Sequence, residues 1–221
     1  MDYWLEQLAL FVISLFANGL SALAGGGAGL LQLPVLLFLG LSFGTALATH
    51  KIASVALGLG ATLRHLREGE LDLRFCGYIV ACGLPGVTLG GVVILALPEA
   101  LTIFSLGVLT LGLGIYSMAR KQLGLEHQPR HRDLQGYLIG GVVIFLIGFL
   151  NGSLTSGTGL FVTLWLVRWF GLDYQRAVTY VLILVGLFWN STGALVVALQ
   201  PPRRRRLMLV PHPLPHRRRR H

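Results

Sequence analysis

The chain has 221 residues, of which 54% are hydrophobic and only 12% are charged, with a mean hydropathy of +0.70. A soluble globular domain carries about 25% charged residues, so this composition excludes a water-soluble fold. The formal net charge of +9 does not indicate a nucleic-acid partner either, because eight of the arginines lie in two runs after Gln200 and the rest of the chain is nearly neutral.

Apolar stretches separated by glycine, proline and charged turns predict an all-α, polytopic transmembrane bundle, since a helix needs about 20 apolar residues to cross the hydrocarbon core. In chain order the predicted helical pieces are 5–24, a short 30–39, 43–63, 75–97, 101–119, 137–150, a short 160–170 and 177–199. The first piece is expected to be a retained span rather than a signal peptide, because no lysine or arginine precedes it.

The predicted organisation has four parts. A first transmembrane repeat occupies residues 1–119, a cytoplasmic basic loop 120–134, and a second, incomplete repeat 135–200. The last part, 201–221, is rich in arginine and proline and is expected to be disordered. It holds no helix of spanning length, and the hypothesis for it is a frame-shifted or truncated carboxyl end.

The two transmembrane parts share a pattern at a shift of about 130 residues. Asn18-Gly19 and the run GGGAGL are echoed by Asn151-Gly152 and SGTGL, and a Leu-Gly-Leu turn is echoed by Phe170-Gly171-Leu172. If one unit contains five helical pieces, an odd number, the second copy lies upside down relative to the first. The sequence therefore predicts two inverted repeats with broken helices, a plan common among secondary transporters.

The glycine-rich interruptions at 24–29 and 156–159 are the first candidate site. A broken helix leaves backbone N–H groups free, which is tolerable in lipid only beside protein or a watery cavity, and the positive end of the helix dipole there attracts anions. The alternative interpretation is that the glycines only permit close helix packing.

Lys51, next to His50 in an otherwise apolar helix, is the second candidate. A buried ionisable group costs several kcal/mol unless it has a partner, so Lys51 is predicted to attract an anionic substrate or to take part in proton coupling. Snorkelling to the membrane edge is the alternative. Asn190 begins a polar triplet in the corresponding helix of the second repeat, which could complete a polar site or bond neighbouring helices.

These arguments predict a substrate-binding set drawn from both repeats. The set is Gly25, Gly26, Gly27, Gly29, Thr49, His50, Lys51, Ser156, Gly157, Thr158, Gly159 and Asn190. No enzyme, catalytic residue, metal site or cofactor is predicted, since the chain lacks GxSG, HExxH and an intramembrane aspartate pair. Cys76 and Cys82 are six apart, which matches neither a zinc site nor a CxxC pair.

Two segments resemble the sulfite exporter TauE/SafE family. They are NGLSALAGGGAGLLQLPVLLFLGLSFGTALATHKIAS followed by GATLRHLREGELDLR, and the weaker second copy NGSLTSGTGLFVTLWLVRWFGLDYQRAVT; the resemblance covers residues 8–200. It implies transport of sulfite, sulfonates, thiosulfate or related organic anions across a bacterial cytoplasmic (inner) membrane, in either direction. The partners expected are therefore a small anionic solute and the lipid bilayer, with the oligomeric state and coupling ion left open.

The sequence departs from the family pattern at two places. Tyr180-Val181 stands where the family usually has Thr-Lys, so no second lysine is implied, and the counterparts of 75–119 are not found after Leu199. A non-transporting scaffold or subunit, or an inactive truncated transporter, is therefore the alternative function.

Overall fold

The structure is a computed structural model that describes residues 3–23, 28–65, 71–94, 96–119 and 127–199. Over these residues the chain is helical and contains no strand, so the predicted all-α bundle is confirmed. The helices are α1 (Tyr3–Leu23), α2 (Ala28–Phe38), α3 (Phe43–His65), α4 (Leu73–Ile94), α5 (Glu99–Ala119), α6 (Leu134–Ser153), α7 (Thr158–Arg168), α8 (Tyr174–Tyr180), a π-helical segment (Val181–Trp189) and α9 (Asn190–Ala198).

The helices differ in whether they can cross a membrane. Within the described residues, four are long and apolar enough: α3, α4, α6 and the continuous helix Tyr174–Ala198 formed by α8, the π-helical segment and α9. By contrast, α2 and α7 have 11 residues each and extend only about 16 Å, half of the hydrocarbon core. The protein is thus a multi-pass membrane protein with two short helices.

The last long helix begins three residues earlier than the sequence predicts. The Asp173 side chain accepts a hydrogen bond from the Arg176 backbone N–H at 2.9 Å, which caps the helix before Tyr174. The π-helical segment was not predicted. It brings Gly186 against Gly58 of α3, where an added Cβ on Gly58 would lie 2.5 Å from the backbone nitrogen of Leu187.

Helices α4 and α6 make the most intimate contact in the bundle. A Cβ added at Gly86 would clash with the Phe145 carbonyl oxygen, and one added at Gly152 would clash with that of Val87. Small residues at four-residue spacing allow such close approach of transmembrane helices. The hydroxyl of Tyr78 donates to the Tyr137 carbonyl at 2.6 Å. Because Tyr78 contacts Tyr137 at one end and Val87 contacts Gly152 at the other, the two helices run parallel.

The two halves share local features. Long, short and long helices follow in both, with 21, 11 and 23 residues in α1 to α3 and 20, 11 and 25 in the second half. The turn after each short helix contains a glycine with positive φ, Gly40 at 86° and Gly171 at 70°. A polar residue follows each turn and bonds the next helix, Ser42 to Thr45 and Asp173 to Arg176. These pairs agree with an internal repeat, and its inversion stays a prediction.

The two glycine turns are expected to differ in their response to alanine. Gly40→Ala should lower the free energy of unfolding by about 1 kcal/mol, because an L-residue is strained at positive φ but the added methyl has nothing within 4 Å. Gly171→Ala should cost about 3 kcal/mol, since its Cβ also clashes with the Gln128 carbonyl. Thermal unfolding in detergent would measure both, and equal losses would contradict this account.

Candidate functional site

The second glycine-rich segment is an interruption between two helices. Helix α6 continues to Ser153 and α7 begins at Thr158, so the break is narrower than the gap between the predicted helices 137–150 and 160–170. Thr155 has a positive φ of 60°, which is uncommon for a residue other than glycine. Its hydroxyl donates to the Asn151 carbonyl at 2.6 Å, and Ser156 Oγ lies 3.1 Å from Thr110 Oγ1. These bonds hold the turn inside the protein.

The beginning of α2 packs directly on this break. A Cβ added at Gly29 would lie 3.0 Å from Ser156 Cα and 3.2 Å from His50 Nε2. The first turns of the two short helices, α2 and α7, therefore come together. First-turn N–H groups have no acceptor within their own helix, and they carry the positive end of the helix dipole. Two such ends at one place favour negative charge.

Lys51 lies at the junction of the two halves. Its side chain is fully buried, and Nζ donates to the Asn151 carbonyl oxygen at 3.1 Å. Its stem passes Gly193 so closely that a Cβ there would lie 2.9 Å from Lys51 Cε. Among the described residues no carboxylate comes within ion-pair distance of Lys51. The ammonium is enclosed by protein, an arrangement different from snorkelling.

His50 belongs to a hydrogen-bonded chain that links the first three helices. Its Nδ1 lies 2.8 Å from Gln32 Oε1, which also accepts from Asn18 Nδ2 at 3.2 Å. Gln32 Nε2 in turn donates to Ser14 Oγ at 2.7 Å. On its other side, His50 Nε2 lies 3.4 Å from Ser54 Oγ. The imidazole is thereby held in place with one edge toward α2 and the other toward Ser54.

A small cavity of about 40 Å³ lies where these elements meet. Five predicted residues line it together: Gly29, His50, Thr158, Gly159 and Asn190. The Oδ1 atoms of Asn190 and Asn151 are buried and have no hydrogen-bond partner within the described part of the chain. Orphaned polar atoms at a cavity wall are groups that a bound molecule or water can satisfy.

The other predicted residues have different surroundings. Lys51 and Ser156 are buried beside the cavity without lining it, and Gly157, with φ of 68°, caps the start of α7. Thr49 lines a separate groove between α1 and α3. Gly25, Gly26 and Gly27 lie outside the described residues, as do the predicted tail 201–221 and the first part, 120–126, of the predicted basic loop.

Sequence reasoning missed three polar cavity residues, Ser54, Asn151 and Thr155. Ser54 follows His50 by four positions, so the two share one face of α3, and this spacing could have indicated it. Asn151 was recognised as the counterpart of Asn18 but not as a site residue. Within the described ranges no group of three or more His, Cys, Asp or Glu side chains could hold a metal ion.

Comparison with known proteins identifies the class as membrane transporters. The chain is 32% identical over 181 residues to the "Probable membrane transporter protein" of Haemophilus influenzae, covering 81% of this chain and 70% of that relative. It is 26% identical over 175 residues to the "Probable membrane transporter protein YfcA" of Escherichia coli K12, covering 79% and 64%. A "Probable membrane transporter protein ORF9" of Sinorhizobium sp is 26% identical over 190 residues, covering 86% and 71%.

The particular family follows from a second comparison. The family described as Sulfite exporter TauE/SafE matches residues 10–211, and the chain belongs to it. The resemblance seen in the sequence is thus confirmed. The matches span about two thirds of the length of these curated relatives. No solved structure matches the chain.

Proposed function

We propose that this protein carries small anions, such as sulfite, a sulfonate, thiosulfate or a related organic anion, across the bacterial cytoplasmic membrane. The observation that carries the proposal is the fully buried side-chain nitrogen of Lys51, which has a carbonyl but no carboxylate beside it among the described residues. A buried charge without a counter-charge costs several kcal/mol in a membrane protein. A bound anion would supply that counter-charge.

The surroundings of the cavity supply donors that suit an oxyanion. The Ser54 hydroxyl lines it together with the first turn of α7, where N–H groups point away from any intrahelical acceptor. The hydroxyls of Thr155 and Thr158 also line it, but their protons are donated to the carbonyls of Asn151 and Thr155. Anions gain from hydrogen bonds of this kind because charge-assisted bonds are roughly twice as strong as neutral ones. The volume of about 40 Å³ exceeds the ~10–15 Å³ needed for one water and favours a solute of few atoms.

A flux assay tests the function. The protein would be reconstituted into lipid vesicles, and uptake of radiolabelled sulfite and of a short-chain sulfonate would be measured against protein-free vesicles, with glycerol as a neutral solute. We expect saturable uptake of at least one anion and no added uptake of glycerol. Uptake equal to that of empty vesicles for every anion tested would overturn the proposal. Anion binding to the solubilised protein without flux is the outcome expected of a non-transporting subunit.

Asn190→Leu is expected to weaken anion binding about tenfold while leaving the fold intact. Leucine has nearly the shape of asparagine but removes the amide NH2 group, the part of the side chain that can donate to an anion, and a hydrogen bond to a charged group contributes about 1.5–3 kcal/mol. The buried Oδ1 has no partner in the described chain, so its removal should not lower thermal stability. Isothermal titration of sulfite into the solubilised protein measures the affinity; an unchanged affinity would remove Asn190 from the site.

A further inference from the structure

A wide groove of about 930 Å³ runs between α1 and α3 on the outside of the first half. Ser14, Asn18 and Gly19 of α1 face Thr49, Ala56 and Gly60 of α3 across it. Leu57 and Leu182 line both this groove and the small cavity of the candidate site. The groove is therefore separated from the site by about the thickness of one side chain.

The second half shows what occupies the equivalent place. There α6 corresponds to α1, and the continuous helix Tyr174–Ala198 corresponds to α3. Helix α4 packs against both α6 and that last helix. It approaches so closely that a Cβ at Gly152 would clash with the Val87 carbonyl, and a Cβ at Gly83 would clash with the Trp189 ring.

Residues that line the groove are the counterparts of residues in α6 and the last long helix that contact α4. Gly19 corresponds to Gly152 and Ala56 to Trp189, each pair being 133 positions apart. Gly152 is pressed against the α4 backbone, whereas a Cβ at Gly19 or Gly60 would meet nothing within 4 Å in the described chain. In the second half a helix covers this surface, whereas the same surface in the first half is open within the described residues.

We propose that the α1–α3 groove binds an apolar transmembrane helix from outside these 221 residues, in the position that α4 holds against α6. The helix runs parallel to α1, as α4 runs parallel to α6. It presents small residues at four-residue spacing toward Gly19, as Gly86 and Gly90 of α4 do toward α6.

A helix fits the groove better than a lipid tail does. Ser14, Asn18 and Thr49 lie among apolar residues along the groove, Arg64 and His65 line it near the end of α3, and the buried Oδ1 of Asn18 has no hydrogen-bond partner among the described residues. Acyl chains offer these groups no hydrogen bond, whereas a neighbouring helix can do so and can approach closely over the glycines. Since Leu57 and Leu182 separate groove and cavity, the bound helix forms an outer wall of the candidate site.

The test adds such a helix in trans. The probe is a synthetic peptide with the sequence of α4, Leu73–Ile94, that carries an acceptor fluorophore. The full protein, reconstituted in lipid vesicles, carries a donor fluorophore at its amino terminus. We expect saturable energy transfer that is abolished by an excess of unlabelled peptide. An unlabelled peptide with leucine in place of Gly86 and Gly90 should not abolish it. Absence of saturable binding, or equal competition by the leucine peptide, overturns the proposal, the latter because any apolar occupant would then suffice.

Gly19→Phe places a large side chain in the groove and leaves the surface of α6 that contacts α4 unchanged. It therefore distinguishes peptide binding in the groove from peptide binding to α6. We expect this variant to lower the peptide affinity at least tenfold, while Gly77→Phe, on an open face of α4 with nothing within 4 Å, retains it. Because both positions have open space around them, both variants should fold, which thermal unfolding would verify. An unchanged affinity in Gly19→Phe would show that the peptide binds elsewhere and would overturn the assignment.

Discussion

Gly152→Leu is expected to prevent assembly of the bundle, with a loss of about 3 kcal/mol or more in the free energy of unfolding. An added Cβ clashes with the Val87 carbonyl and would lie 2.7 Å from the Gly91 nitrogen, so backbone faces backbone and no flexible side chain can yield. Overpacking of this kind costs about 1–3 kcal/mol even where side chains can move. Total stabilities are only about 5–15 kcal/mol, so the loss should be visible as aggregation.

The matched control for this experiment is Gly77→Leu. Gly77 also lies on α4, but an added Cβ there has nothing within 4 Å, and leucine suits a lipid-facing surface. Size-exclusion chromatography and thermal unfolding in detergent compare the two variants. A monodisperse Gly152→Leu protein that unfolds with the wild type would show that the α4–α6 contact does not need its glycine.

Lys51→Met is expected to raise the half-saturating anion concentration by about 10- to 100-fold. A hydrogen bond to a charged group contributes about 1.5–3 kcal/mol, and each 1.4 kcal/mol is a factor of ten. Methionine fills nearly the same space beside Gly193 as the lysine stem does. Because it also removes a buried charge that lacks a carboxylate partner in the described chain, thermal stability should be equal or higher.

Two readouts distinguish a binding role of Lys51 from a structural one. Flux in vesicles and sulfite affinity should fall together while the unfolding temperature does not. Arg74→Gln, which removes a positive charge at the exposed start of α4, should leave flux and affinity unchanged. Unaltered flux in Lys51→Met would exclude the lysine from transport, and lower stability with normal affinity would assign it a packing role.

The helical architecture was readable from the sequence because membrane spans require long apolar stretches bounded by polar turns. The first and last residues of the helices were harder to predict from the sequence. Asp173 starts the last helix early through its side-chain cap, and the π-helical segment leaves no signature in a run that is apolar throughout. In such a run, apolar residues face both lipid and protein, so periodicity does not reveal the inner face.

The site was predicted in part for the same reason. Glycine breaks and a lone lysine are conspicuous in apolar sequence, and Gly29, His50, Thr158, Gly159 and Asn190 do lie around one cavity. Thr49 was also in the predicted set, yet it precedes His50 by one residue, a turn of about 100° along an α-helix, which directs it to the groove instead. Ser54, four positions from His50, shares the cavity face.

The bond between Lys51 and the Asn151 carbonyl joins the first half of the protein to the second. A main-chain carbonyl offers only a partial negative charge, so it is a weak rival to a full anion for the same ammonium. Because a lysine ammonium has three N–H donors, an anion that binds beside it can accept one hydrogen bond while the Asn151 carbonyl keeps another, so the same side chain would contact the solute and both halves of the protein.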